Sequence, residues 1–286
     1  MDAERLQQAI DLYDRFTHDG MDRRDFFGRM SLIAGSAAAA TSLIAAIAAS
    51  PAAAAIVPAD DKRLTTRTQD LAGGYKAYVA EPRSRSLKPT VLVIHENRGL
   101  TDHIRDVTRR IALEGFRTVA PDFLSLSGGT PANEDAARDA VGKLDLSKST
   151  SDAVAMVEQL AKSSRGGKVG VVGFCWGGAF VDRLAVAAGD KLAAGVSYYG
   201  PAPNPSEAAK VQAPLLLHHA GLDSRVAQTL FPFVTALREA KKSVTFQVYD
   251  GANHAFNNDT SAERYNKEAA DLAWGRTIRF FHKYLG

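Results

Sequence analysis

The amino-acid sequence of residues 56–286 predicts an α/β fold, with a mostly parallel central sheet and helices on both faces. Short apolar runs alternate with longer amphipathic runs, as strands alternate with helices in such folds. Residues 91–94 are apolar at every position, which is typical of strands that are buried on both faces. A segment of about 230 residues is also long enough for one large domain with a sizeable core.

The predicted strands are short and apolar, and the predicted helices are longer and amphipathic. Gly115 ends the first helix of the domain, and Pro121 with Asp122 closes the strand that follows it. In chain order, the strands cover residues 75–79, 90–95, 117–120, 168–172, 192–198, 214–218 and 244–249. The helices cover residues 102–114, 133–144, 151–162, 179–188, 225–241 and 262–284.

Residues 1–55 are predicted to be an N-terminal extension that carries an export signal. Arg23 and Arg24 precede an uncharged stretch, residues 30–59, that is made mostly of Ala, Ser, Gly and Thr. Small residues at 51–55 supply a cleavage point. This pattern is typical of segments read by the twin-arginine export machinery, and it predicts a periplasmic or otherwise exported protein.

A membrane anchor is the alternative for the same stretch, because its length is sufficient to span a bilayer. Its alanine content favours a signal, since methyl side chains bury little apolar area. If the signal is not cleaved, it leaves the protein anchored in the membrane. Residues 1–20, ahead of the arginines, predict a short amphipathic helix with no assigned role.

The composition of the domain excludes several classes of function. Residues 56–286 contain 30 basic and 25 acidic side chains, with no basic stripe interleaved with aromatics, which argues against nucleic-acid binding. Cys175 is the only cysteine, so the chain has no internal disulfide and no Cys-x-x-Cys redox motif. The histidines show none of the tight spacings that build a metal site. The sequence therefore predicts neither a metal nor a cofactor, and it carries no indication of oligomeric state.

The segment 173–178, Gly-Phe-Cys-Trp-Gly-Gly, lies between a predicted strand and a predicted helix. A nucleophile flanked by glycines at such a turn is typical of a nucleophile elbow, in which a strained backbone leaves no room for neighbouring side chains. The N-terminus of the following helix favours a thiolate. The alternative is a buried structural cysteine behind an ordinary turn.

Two further candidates follow later strands of the predicted sheet. Asp223 follows strand 214–218 and His254 follows strand 244–249, where the carboxyl ends of parallel strands form ligand sites. The order nucleophile, acid, histidine is expected of an α/β-hydrolase. In such a triad Cys175 attacks a carbonyl carbon, His254 handles the proton and Asp223 orients the imidazole.

Each of these residues also has a structural alternative. Asp223 is suited to cap the helix that follows it, and His254 to bond backbone groups within its loop. Asp250 is a rival acid that lies only four residues before His254. His218 and His219 lie at the end of an apolar strand, where at least one is expected to pack in the core.

On these residues the chain resembles the dienelactone hydrolase family of α/β-hydrolases, over roughly residues 64–285. A cysteine in place of serine, with a glutamate after the first long strand, makes the match fairly specific. The segments that carry the resemblance are 94–99 (Ile-His-Glu-Asn-Arg-Gly), 120–122 (Ala-Pro-Asp), 173–178, 221–223 (Gly-Leu-Asp) and 254–256 (His-Ala-Phe).

The resemblance implies a role for Glu96. It places Glu96 beside Cys175, where the carboxylate takes the thiol proton as substrate enters, so that no thiolate waits exposed to oxidation. The alternative is a surface glutamate that caps the residues after it. The backbone N–H groups of Asn97 and Trp176 would then form the oxyanion hole.

The chain also departs from the family pattern. Family members that act on chlorocatechol products are expected to hold the substrate carboxylate with two arginines. One belongs shortly after Asp122, where this chain has residues 123–126 (Phe-Leu-Ser-Leu), and the other belongs four residues after the histidine, where Asn258 stands. Arg98, Arg105 and Arg225 are candidates to replace them.

The sequence thus predicts an exported hydrolase of a small-molecule ester or lactone that works through an acyl-cysteine intermediate. The alternative from another class is a non-catalytic binding or scaffold protein that retains the fold. A papain-like peptidase is disfavoured, since its histidine lies about 130–150 residues beyond the cysteine, whereas His254 follows Cys175 far sooner.

Overall fold

The computed structural model describes residues 1–48, 56–84 and 86–286. Its centre is an eight-stranded sheet. The strands are β1 (Leu64–Asp70), β2 (Lys76–Pro82), β3 (Thr90–Ile94), β4 (Arg117–Asp122), β5 (Val169–Phe174), β6 (Ala194–Tyr198), β7 (Leu215–Ala220) and β8 (Val244–Tyr249). Their order is β1-β2-β4-β3-β5-β6-β7-β8. The pairs β1–β2 and β2–β4 are antiparallel, and all other pairs are parallel.

Helices cover both faces of this sheet. In the domain they are α4 (Asp102–Leu113), α5 (Glu134–Gly142), α6 (Leu146–Ala161), α7 (Trp176–Ala188), α8 (Ser224–Glu239) and α9 (Lys267–Leu285). Side chains of α6, α7 and α8 pack on the face that includes Leu92 and Ile94. Those of α4 and α9 pack on the opposite face, with Val91 and Val93. The wholly apolar run is explained by this two-sided burial, because successive strand residues point to opposite faces.

The predicted fold class and all seven predicted strands are confirmed. The sequence analysis missed β1, an edge strand whose Thr, Arg and Gln side chains are mostly exposed. Three helices begin three or more residues away from the predicted start. Helix α6 starts earlier because the Asp145 side chain caps it, and α9 starts later, after the cap residue Asn266. Helix α7 starts at Trp176, so Gly177 and Gly178 lie within its first turn.

Residues 3–47 form three more helices: α1 (Ala3–His18), α2 (Arg23–Ala34) and α3 (Ala37–Ile47). The predicted N-terminal amphipathic helix is α1. The twin arginines begin α2, whose N-terminus is capped by Asp22. No single helix in the described ranges combines the length and apolarity of a membrane span; α2 and α3 reach them only together, across a 102° bend. The predicted cleavage point at 51–55 lies outside the described residues.

Candidate active site

Cys175 lies at the tight turn between β5 and α7. Its φ of 55° and ψ of −113° are a strained conformation for a residue with a side chain. A Cβ on Gly173 would approach the Gly177 carbonyl oxygen to 2.1 Å, and one on Gly177 would approach the Ile94 and His95 carbonyl oxygens to 2.5 Å. The glycines are therefore required by close backbone approach, and the turn has the elbow geometry expected from the sequence.

His254 and Asp223 meet beside this turn. The imidazole Nδ1 lies 2.6 Å from an Asp223 carboxylate oxygen, and both side chains are buried. The other carboxylate oxygen accepts a 3.0 Å hydrogen bond from the Val226 N–H, so Asp223 also caps α8. The Cys175 thiol hydrogen bonds to the imidazole. Since Nδ1 is held by Asp223, Nε2 is the nitrogen left for the thiol. The rival acid, Asp250, is exposed.

The electrostatics of the three residues favour a charged imidazole. Burial by itself would lower the pKa of His254, but the charges of Cys175 and Asp223 and hydrogen bonds to both raise it to about 10. Burial would likewise raise the pKa of Asp223, but the charge of His254 and the hydrogen bond to it lower that pKa to about 2. Asp223 is therefore ionised at neutral pH, and it stabilises the imidazolium.

Glu96 lies in the loop after β3 and shares a small cavity of about 20 Å³ with Cys175 and His254. One carboxylate oxygen accepts a 3.0 Å hydrogen bond from the Asn258 side-chain amide. The other is buried and has no hydrogen-bond partner among the described residues. Asn258 in turn accepts hydrogen bonds from the Thr260 N–H and hydroxyl, which fix its orientation. This carboxylate is thus held close to the thiol with one oxygen available.

His95 fixes the loop that carries Glu96 and Asn97, a role that the sequence analysis did not identify. Its Nδ1 lies 2.7 Å from the Glu96 carbonyl oxygen, which can only accept, and its Nε2 accepts a 3.3 Å hydrogen bond from the Phe123 N–H. The ring also stacks on Trp176 at 5.3 Å. Burial lowers the pKa of His95. The two bonds therefore select a neutral imidazole that carries its proton on Nδ1.

Asn97 and Trp176, the two predicted oxyanion-hole residues, border the cavity that contains Cys175. Trp176 is the first residue of α7, so its N–H is one of those that the helix leaves without an acceptor. Asn97 lies in the turn closed by the 3.2 Å hydrogen bond from the Gly99 N–H to the Glu96 carbonyl. Both residues and Cys175 line one cavity of about 630 Å³. This volume is typical of small-molecule sites.

Cations border the larger cavity, including Arg138, Arg183 and Arg225. Within the described part of the chain, neither Nε nor Nη2 of Arg225 has a hydrogen-bond partner, although both atoms are buried. The other two candidates for carboxylate binding are differently placed. Arg98 binds Glu134 at 3.0 Å, and the Arg105 guanidinium lies over the Tyr78 ring.

Tyr199 is a second residue of the site that the sequence analysis missed. It follows β6 with a φ of 40°, and its ring centroid lies 5.1 Å from that of His254. Its hydroxyl is buried and lacks a hydrogen-bond partner among the residues that the structure describes. Burial, with the nearby charges of Glu96 and Cys175, raises the pKa of this hydroxyl. The signal was present in its position directly after a parallel strand.

The expected carboxylate-binding arginines are absent from their family positions, and the structure shows what replaces them. Phe123 is buried against Trp176 and Phe180, where its backbone N–H holds His95. Asn258 holds Glu96. Phe123 and Asn258 therefore position His95 and Glu96, and neither carries a positive charge.

A nucleophile, a histidine and an acid at the carboxyl edge of this sheet are the features of an α/β-hydrolase. More narrowly, the chain belongs to the dienelactone hydrolase family, whose sequence model matches residues 75–285. This confirms the resemblance found in the sequence. Its membership in this family and its similarity to carboxymethylenebutenolidase relatives indicate that it is a hydrolase of esters or lactones.

Individual relatives agree with this assignment. The chain is 32% identical over 245 residues to a Saccharolobus solfataricus protein named "Putative carboxymethylenebutenolidase", covering 73% of this chain and 93% of the relative. A protein of the same name from Escherichia coli (strain K12) is 32% identical over 227 residues, covering 73% and 83%. The crystal structure of a "Putative Dienelactone Hydrolase" from Klebsiella pneumoniae superposes with a TM-score of 0.69 at 26% identity, covering 77% of this chain and 99% of that one.

Proposed function

We propose that the protein hydrolyses a small carboxylic ester or lactone through an acyl-cysteine intermediate on Cys175. The observation that carries the proposal is the buried line of thiol, imidazole and carboxylate, in which the His254–Asp223 contact is 2.6 Å. The N–H groups of Asn97 and Trp176 are the proposed donors to the carbonyl oxygen as it gains negative charge. Removing one such donor typically costs about 3 kcal/mol in the barrier.

The proposed proton transfers use Glu96 and His254 in turn. The thiol proton passes to Glu96, the thiolate attacks the carbonyl carbon, and the ester C–O bond breaks as the imidazolium protonates the leaving alkoxide. Neutral His254 then takes a proton from water, and the resulting hydroxide attacks the thioester. The C–S bond breaks, the acid is released, and the departing thiolate recovers its proton from Glu96.

Substitution of the nucleophile tests the proposal. Cys175→Ala is expected to lower the turnover of p-nitrophenyl acetate by about 1,000-fold or more, because no acyl group can be transferred to the protein. The melting temperature should stay close to that of the unsubstituted protein, since alanine fits the same turn. Activity within tenfold of the original rate would exclude Cys175 as the nucleophile.

The alternative, a scaffold protein that keeps the fold but has no catalytic activity, predicts a different reactivity of the Cys175 thiol. A catalytic Cys175 should react selectively with iodoacetamide, and an ester substrate should protect it. A thiol that stays inert in the folded protein would support the scaffold. The bond to an imidazole whose pKa is raised favours the reactive thiol.

We also propose that the substrate carries an acid group that binds Arg225. A guanidinium with two buried nitrogens that have no hydrogen-bond partner among the described residues is suited to a carboxylate. Arg225→Gln is expected to lower kcat/KM for an acid-bearing aryl ester by about tenfold or more relative to its neutral analogue, because a charge-assisted hydrogen bond contributes about 1.5–3 kcal/mol. Arg183→Gln is the matched control, since Arg183 borders the same cavity but is exposed. An equal change in the two variants would exclude the specific role of Arg225.

A further inference from the structure

Helices α1, α2 and α3 pack together over the candidate active site. They share a small apolar core of their own that includes Ile10, Phe26, Met30 and Leu43. The segment also makes polar contacts with two loops of the domain, the one after β3 and the one after β8. These contacts hold the two loops that carry His254 and Glu96.

The first set of contacts holds the loop that carries His254. Gln7 donates a 2.7 Å hydrogen bond to the side chain of Asn253, the residue before His254. The Ile47 carbonyl, at the end of α3, accepts hydrogen bonds from the Ser261 hydroxyl at 2.6 Å and from Arg264 Nε at 3.1 Å. Both donors are buried, and Arg264 Nε also donates to the Ser261 hydroxyl oxygen at 2.9 Å, so the Ile47 carbonyl is an acceptor for a linked pair of buried polar groups of the domain.

Helix α1 supplies a further partner for the same loop. Arg264 Nη1 lies 3.3 Å from Asp14, and the guanidinium lies over the Tyr13 ring. An ion pair between two largely buried side chains is strongly unfavourable to break on one side only. The loop after β8 is therefore fixed partly by residues of the N-terminal segment.

The second set of contacts holds the loop that carries Glu96 and Asn97. Arg98 donates a hydrogen bond to the Tyr13 hydroxyl. The Asn97 side-chain amide donates to the Thr17 carbonyl at 3.4 Å. The segment thus touches two of the three loops that bear proposed catalytic groups outside the elbow, those after β3 and β8.

The segment also forms one wall of the larger cavity. Phe16, Thr17 and Met21 line it together with Cys175 and Trp176. With these side chains in place the cavity still measures about 630 Å³, within the range of occupied ligand sites. The segment therefore encloses a site of substrate size; it does not fill it.

We propose that residues 3–47 are a cap that stays on the working enzyme, and that Phe16 is a specificity-determining residue that limits the size of the acyl group. The selection of substrates by Phe16 rests on the hydrolysis proposed above, whereas the retention of the cap does not. If the protein is exported by the twin-arginine machinery, the cap travels with it, and α2 with its arginines remains part of the enzyme.

The acyl-chain profile of the full-length protein tests the role of Phe16. Phe16→Trp is expected to lower the ratio of kcat/KM for p-nitrophenyl octanoate to that for the acetate by about tenfold, because the larger ring occupies space that the long chain needs. Arg15→Ala, an exposed position on the same helix, is the matched control and should leave the ratio within about twofold. A ratio that Phe16→Trp leaves unchanged, in a protein that folds and turns over the acetate, would overturn the assignment.

The retention of the cap is tested without any assay of activity. The intact mass of the protein recovered from cells that export it is expected to include residues 3–47. A mature protein that begins after residue 55 would overturn the proposal. If the unsubstituted protein hydrolyses no ester, the proposed function is wrong. The mass measurement still decides whether the cap is retained, because it does not depend on activity.

Discussion

Glu96 and His254 line one small cavity with Cys175, and the proposed chemistry depends on how they share the thiol proton. Glu96 is held by Asn258 with one oxygen available, while His254 is held by Asp223 in the charged form that a leaving alkoxide requires. Proton transfer to a carboxylate costs much less from a thiol than from a serine hydroxyl, because the thiol is the stronger acid. The proposed mechanism therefore depends on sulfur at position 175.

This reasoning predicts that Cys175→Ser is a poor enzyme. We expect kcat for p-nitrophenyl acetate to fall by roughly 100-fold or more, because Glu96 no longer activates the nucleophile. Steady-state kinetics measure the loss, and thermal denaturation checks that the fold is intact. A serine variant as fast as the original would contradict the role proposed for Glu96.

The positions of the strands and the order of the three triad candidates could be predicted from the sequence. Apolar runs identify strands directly, and Cys175, Asp223 and His254 each follow one of them. Residues whose role depends on contacts with parts of the chain distant in sequence could not be found in this way. His95 acts through two hydrogen bonds whose partners are set by the fold. Tyr199 lies beside the elbow because β6 neighbours β5, and the loop after β8 brings His254 to its ring. Strand β1 was missed because an exposed edge strand carries a weak apolar pattern.

At the scale of the molecule, the sheet and the N-terminal helices contribute different parts of one site. The parallel strands bring residues distant in sequence to one edge. The N-terminal helices then contact the loops around them through residues such as Gln7, Tyr13 and Ile47. The composition of residues 1–55 predicted an export signal, and it did not reveal these contacts, because polar partners across long sequence distances leave no local pattern. Export remains a prediction, whereas the proposed cap excludes the cleavage at residues 51–55 that the composition suggests.

Trapping the covalent intermediate identifies the residue that carries the acyl group during turnover. The protein is mixed with a slowly hydrolysed aryl ester, quenched in acid during turnover and analysed by mass spectrometry, with Cys175→Ala as the control. The account predicts an added mass of one acyl group on the peptide that contains Cys175, removable by hydroxylamine and absent from the control. Turnover with no adduct on Cys175, or with the acyl group on another residue, would contradict it.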